Sequence, residues 1–137
     1  MPDRILIVDD EEKTRKYLGR YIERKGYEVL AAENGEKALE VIRNETVHAM
    51  VLDVLMPGMD GIAVLEEVKK INQDIPVIIL TGCATAELGM KGMKAGAFDF
   101  MSKPVNPAEL LNLLASALEY GKYLKKGIES VDMPELE

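Results

Sequence analysis

Five polar residues stand out by where they fall. Asp9, Asp10, Asp53, Thr81 and Lys103 each come at the end of a short apolar run, directly or within two residues of it. Three carboxylates, a hydroxyl and an amine form a chemically coherent set. Clustered carboxylates repel one another unless a cation neutralises them. A site rich in hard oxygen donors suits Mg²⁺, held by one or two carboxylates and several waters. Taken singly, most of these residues have plainer roles. Asp9 or Asp10 could cap a helix, Thr81 could bond to the backbone of its loop, and Lys103 could be a solvated amine. Asp53 is harder to explain that way, because it follows an apolar run with no helix starting at once. The metal reading applies to the group, and it holds only if the fold brings the ends of these runs to one edge.

The apolar runs are of the right kind. Ile5-Leu6-Ile7-Val8, Met50-Val51-Leu52 and Val77-Ile78-Ile79-Leu80 are continuous rather than alternating. That pattern marks strands buried on both faces, as in a parallel sheet covered by helices. Glu28–Ala32 and Phe98–Met101 read as weaker strands nearer the edges.

Amphipathic stretches separate them. One helix is expected over residues 11–25, with Leu18, Tyr21 and Ile22 inward and Gly26 as its stop. A second starts after Asn34 and turns Ala38, Leu39 and Ile42 inward; a third follows Asp60 and presents Ile62, Leu65 and Val68. A fourth, over 85–95, contains Gly89 and Gly92, each costing about 1 kcal/mol relative to alanine in a helix interior. It is expected to be a low-stability element, although ordinary drift on a surface helix would give the same composition. The last helix opens on Asn106-Pro107-Ala108-Glu109, a cap, a first-turn proline and an acid at the capping-box position. Strands alternating with helices predict a (βα)₅ chain with a parallel sheet and right-handed crossovers. Ligands of such sheets bind outside the carboxyl ends of the strands, where the five polar residues fall.

Composition narrows the function. The 137 residues fit one domain, and 47% of them are hydrophobic, enough for a core at this size. A net charge of −7 argues against direct nucleic-acid binding. No apolar stretch is long enough to span a membrane, and the start of the chain lacks a secretory pattern, so a cytoplasmic location is expected. One cysteine, Cys83, excludes an internal disulfide and a cysteine-based zinc cage. His48 precedes the third apolar run rather than lying on an exposed helix, which makes it a poor phosphodonor.

Four segments then carry a resemblance. Ile7-Val8-Asp9-Asp10-Glu11, Leu52 to Gly61, Leu80-Thr81-Gly82 and Gly96 to Pro104 resemble the response-regulator receiver family of two-component phosphorelay systems, in order and at the family's spacing. The likeness covers residues 3–125 and leaves 126–137 as a tail or the start of a linker. It implies a flavodoxin-like three-layer sandwich with a five-stranded parallel sheet in the order 2-1-3-4-5.

It also implies roles for single residues. Asp53 would be the phosphoacceptor, receiving a phosphoryl group from a sensor histidine kinase or a histidine phosphotransfer protein. Asp10, Asp53 and the backbone carbonyl of Leu55 would ligate Mg²⁺, with Asp9 beside them. Lys103 and Thr81 would contact phosphoryl oxygens, and Phe100 would turn inward as Thr81 moves. The Lys103–Pro104 peptide would be cis. The output would pass to an effector domain, a target protein or a homodimer formed on phosphorylation. Leu55 and Cys83 would flank the approaching water, and neither suits orienting it, which predicts a long-lived aspartyl phosphate. Two other readings fit the sequence less well. A small Mg²⁺-dependent phosphohydrolase wants Asp-x-Asp where this chain has Asp9-Asp10-Glu11. A phosphorylation-independent binding module of the same fold would lack an acid or the lysine, and none is missing.

Overall fold

The computed structural model describes residues 2–55, 60–82 and 85–126. Strands and helices alternate throughout: β1 (Arg4–Val8), α1 (Glu12–Arg24), β2 (Glu28–Ala32), α2 (Gly35–Asn44), β3 (Ala49–Asp53), α3 (Gly61–Ile71), β4 (Val77–Thr81), α4 (Ala86–Lys94), β5 (Asp99–Ser102) and α5 (Pro107–Lys125). All neighbouring strands pair in parallel, in the order β2-β1-β3-β4-β5. This is the expected flavodoxin-like sandwich. The reversal of strand order lies between β1 and β3, the place where such sheets open a crevice.

Both faces of the sheet are covered, which explains the unbroken apolar runs. Leu6, Val8, Met50, Leu52, Val77 and Ile79 face the layer of α2, α3 and α4. Their alternating neighbours Ile5, Ile7, Val51, Ile78 and Leu80 face α1 and α5. Residues two apart share a face because strand side chains alternate. The edge strands β2 and β5 are only partly buried, in keeping with their weaker sequences.

The helix starts follow the expected chemistry. Asn34 accepts from the Lys37 N–H, Asp60 from the Ile62 N–H, and Asn106 from those of Ala108 and Glu109. Three expectations shift in detail. The last strand begins one residue later than Phe98. In α1, Gly19 is buried and Tyr21 only half-buried, and in α3 Val64 is buried while Ile62 is half-buried. In α1 the close approach to the sheet decides it: a β-carbon on Gly19 would lie 3.7 Å from Val29 Cγ1 and 3.9 Å from Ile7 Cδ1. No helix among the described residues is long and apolar enough to cross a membrane. Residues 127–137, Met56–Met59 and Cys83 lie outside the described residues.

The glycines of α4 have a packing reason. A β-carbon on Gly89 would come 2.9 Å from the far end of the Phe100 ring, and one on Gly92 would come 2.5 Å from Ile79 Cδ1. The helix therefore lies close upon β4 and β5. Gly61 is tighter still: a β-carbon there would stand 2.3 Å from the backbone Cα of Val54. Backbone cannot swing aside as a side chain can. Gly61→Ala is expected to destabilise the fold by about 3 kcal/mol, the upper range for overpacking. The midpoint of urea denaturation should fall with its slope unchanged; an unmoved midpoint would disprove the close approach.

Candidate functional site

Sheet register assembles the site. Val8 pairs with Leu52, Asp53 with Leu80, and Thr81 with Ser102. Each chain leaves the sheet at nearly the same level, so Asp9, Asp53, Thr81 and Lys103 sit side by side along the carboxyl edge. All five polar residues singled out from the sequence are at this edge.

Among the described residues, Asp9, Asp53 and Thr81 are the buried polar ones, with exposures of 0%, 3% and 0%. The Lys103 ammonium lies between two of them, 2.9 Å from Asp9 Oδ2 and 3.1 Å from Asp53 Oδ2. Its backbone N–H donates to the Thr81 carbonyl at 2.8 Å, which fixes where its side chain starts. Burial opposes the charge of Lys103. The hydrogen bonds to Asp9 and Asp53 outweigh that cost and hold its pKa above the ordinary lysine value. The amine is therefore firmly cationic at neutral pH.

The remaining carboxylate oxygens are oriented by local turns. Asp9 Oδ1 accepts from the Glu11 N–H at 2.9 Å, and Asp53 Oδ1 accepts from the Leu55 N–H at 3.0 Å. Asp10 is exposed and completes the cluster: one oxygen from each of Asp9, Asp10 and Asp53 lies within 4.8 Å of the other two. An all-oxygen set of three carboxylates fits a hard divalent cation and suits no soft metal.

The structure also places Phe100, Pro104, Leu55 and His48. Phe100 is half-buried on β5, packed against the core beneath Gly89. The Lys103–Pro104 peptide is cis. Leu55, two residues beyond the end of β3, is 52% exposed. His48 is half-buried, and its Nδ1 accepts from the Arg4 N–H at 2.8 Å, at the opposite end of the strands. Sequence alone does not mark Arg15. Its Nη1 donates to the Asp9 carbonyl at 2.8 Å, and the one signal for it is a cation one turn into the helix that follows the acid pair.

A doubly wound sheet with acids and a lysine converging at its switch point is the arrangement that the resemblance to receivers implies. This chain belongs to the response regulator receiver domain family, whose model matches residues 5–115. It is 43% identical over 109 residues to a cyclic di-GMP phosphodiesterase of Thermotoga maritima, covering 80% of this chain and 29% of that protein. It is 38% identical over 118 residues to the response regulator MprA of Mycobacterium sp. strain KMS, covering 86% of this chain and 51% of that one. The chain thus spans about half, or less, of the length of these curated relatives. Among solved structures, a CheY-like response regulator receiver domain protein from Methanospirillum hungatei JF-1 matches with a TM-score of 0.87 at 33% identity, covering 93% of this chain and all of that one.

Proposed function

We propose that the chain accepts a phosphoryl group on Asp53 from a phosphohistidine of a sensor histidine kinase or a histidine phosphotransfer protein. The observation that carries this reading is the setting of Asp53. It is a buried carboxylate with an ammonium at 3.1 Å and a metal-competent acid cluster around it. An oxygen of Asp53 bonds to phosphorus while the bond from phosphorus to the donor imidazole breaks, and the imidazole leaves with the electron pair. A carboxylate needs no deprotonation for this. Catalysis is then mostly positioning and neutralisation of the transferring oxygens. Lys103 and Thr81 stand beside Asp53 to receive those oxygens. Mg²⁺ would be held by Asp10, Asp53 and the Leu55 carbonyl, with Asp9 beside it, and would supply further neutralisation of phosphoryl charge. The protein acts once per phosphate and is not a turnover enzyme.

The added dianion must be satisfied by neighbouring donors. Drawing Thr81 towards it frees space for Phe100, and the change is read on the face formed by α4, β5 and α5. There Ala86, Gly89, Met90, Met93, Lys94 and Phe100 line an open apolar recess. An effector domain, a target protein or a second copy would take its signal from this face, in the cytoplasm and without direct contact to nucleic acid. The signalling unit is taken as residues 3–125, with 126–137 as tail or linker.

Intact-mass spectrometry after incubation with acetyl phosphate, with and without Mg²⁺, tests the proposal. One Mg²⁺-dependent phosphoryl adduct per chain is expected. Its absence where Mg²⁺ binds would leave a phosphorylation-independent binding module. The lifetime of the adduct is a separate expectation. The exposed, apolar Leu55 offers no hydrogen bond to an attacking water, so Leu55→Asn should hasten loss of the phosphate by about 10-fold, within the range of a single well-placed polar group. Equal lifetimes in a time course of the adduct would remove Leu55 from the account.

A further inference from the structure

Asp9 is held at every polar atom. Its N–H donates to the Ala32 carbonyl of β2, Oδ1 accepts from the Glu11 N–H, and Oδ2 accepts from Lys103 Nζ. The fourth atom, the backbone carbonyl, accepts from Arg15 Nη1 at 2.8 Å. Beyond Val8 the ladder between β1 and β3 stops, so a guanidinium caps the carbonyl at the end of β1. That carbonyl belongs to the peptide joining Asp9 to Asp10. Its orientation sets the direction in which the exposed Asp10 side chain leaves the backbone.

We infer that Arg15 is a positioning residue for the divalent cation: by holding the Asp9 carbonyl it fixes the Asp9–Asp10 peptide and aims Asp10 at Asp53. The inference rests on the reading that Asp9, Asp10 and Asp53 hold Mg²⁺. Arg15 itself touches neither the metal nor the phosphoryl group. Charge and geometry predict opposite signs for its removal. A cation near an acid cluster repels Mg²⁺, so by charge alone its loss tightens binding. As an anchor for the Asp9–Asp10 peptide it preorganises the ligands, so its loss weakens binding. Partners of metal ligands commonly contribute 10-fold or more to affinity.

The test is an MgCl₂ titration followed by two-dimensional amide NMR on wild type, Arg15→Met and Arg15→Lys. Methionine keeps an apolar stem of similar reach and removes the guanidinium, while lysine restores a cation and one donor. Amide shifts of residues remote from the carboxyl edge report whether the fold is intact, and the site shifts give the Mg²⁺ affinity. Arg15→Met should weaken Mg²⁺ binding by about 10-fold, and Arg15→Lys should recover most of it. Binding by Arg15→Met equal to or tighter than wild type would overturn the inference, as would an Arg15→Lys variant no better than methionine. If Arg15→Met fails to fold, Arg15→Leu takes its place and is read by the same outcomes. A wild type that shows no Mg²⁺-dependent shifts would instead defeat the metal reading underneath.

Discussion

Asp53→Asn should abolish the Mg²⁺-dependent phosphoryl adduct altogether while leaving the protein folded. The amide is nearly isosteric with the carboxylate, and its oxygen can still accept from the Leu55 N–H as Asp53 Oδ1 does. What it lacks is an anionic oxygen to bond to phosphorus. Asp9 keeps its own 2.9 Å contact with Lys103, so the lysine is not stranded without a counter-charge. Of the carboxylates in the cluster, Asp53 stands on the middle strand with the lysine on one side and the metal-competent pair on the other. That is why the whole signal is expected to vanish rather than decline. The measurement is intact mass after acetyl phosphate treatment, with circular dichroism as the check on folding. An adduct of unchanged stoichiometry in a folded Asp53→Asn would place the acceptor elsewhere and sink the proposed mechanism.

Much of this arrangement was legible in the chain because parallel sheets write themselves plainly. A strand buried on both faces has no reason to alternate, and Ile5–Val8 and Val77–Leu80 do not. Once the runs are strands of one parallel sheet, the residues following them must share an edge. The convergence of Asp9, Asp53, Thr81 and Lys103 follows from that alone. The strand order came from family resemblance, since periodicity does not say which strand neighbours which. What escaped the sequence are contacts between elements distant in the chain. Gly89 and Gly92 read as a cost to α4 because local propensity sees a missing side chain, not the Phe100 ring and Ile79 beneath it. Gly61 passes for an ordinary helix start, although Val54 leaves no room for a methyl group there. Arg15 falls on an amphipathic helix among other charged residues. Only the fold reveals that it reaches back to a carbonyl of the acid pair.

Removing the lysine should have the largest combined effect on chemistry and stability. Lys103 Nζ is the shared partner of two carboxylates whose side chains are 1% and 4% exposed. In Lys103→Met both lose a charge-assisted hydrogen bond and keep their desolvation cost. Breaking a fully buried pair costs about 3–5 kcal/mol; with the lysine side chain 22% exposed, about 2 kcal/mol is the expected loss in the absence of Mg²⁺. Mg²⁺ should restore part of it in the variant, because the cation can neutralise the same carboxylates. Phosphorylation by acetyl phosphate should slow by about 100-fold, as for loss of one donor aimed at developing charge. The pH dependence carries a definite sign. The folded-state pKa of Lys103 is raised, so its contribution is fully present below the unfolded value of about 10.5 and is lost as pH rises through the folded one. Urea denaturation of the two proteins should therefore differ by a constant amount from pH 7 to about 9.5 and converge only above about 10.5. A gap that closes already near pH 8 would mean that the ammonium is not held by Asp9 and Asp53 in solution, and a variant as stable as wild type at pH 7 would mean that the two acids do not depend on it.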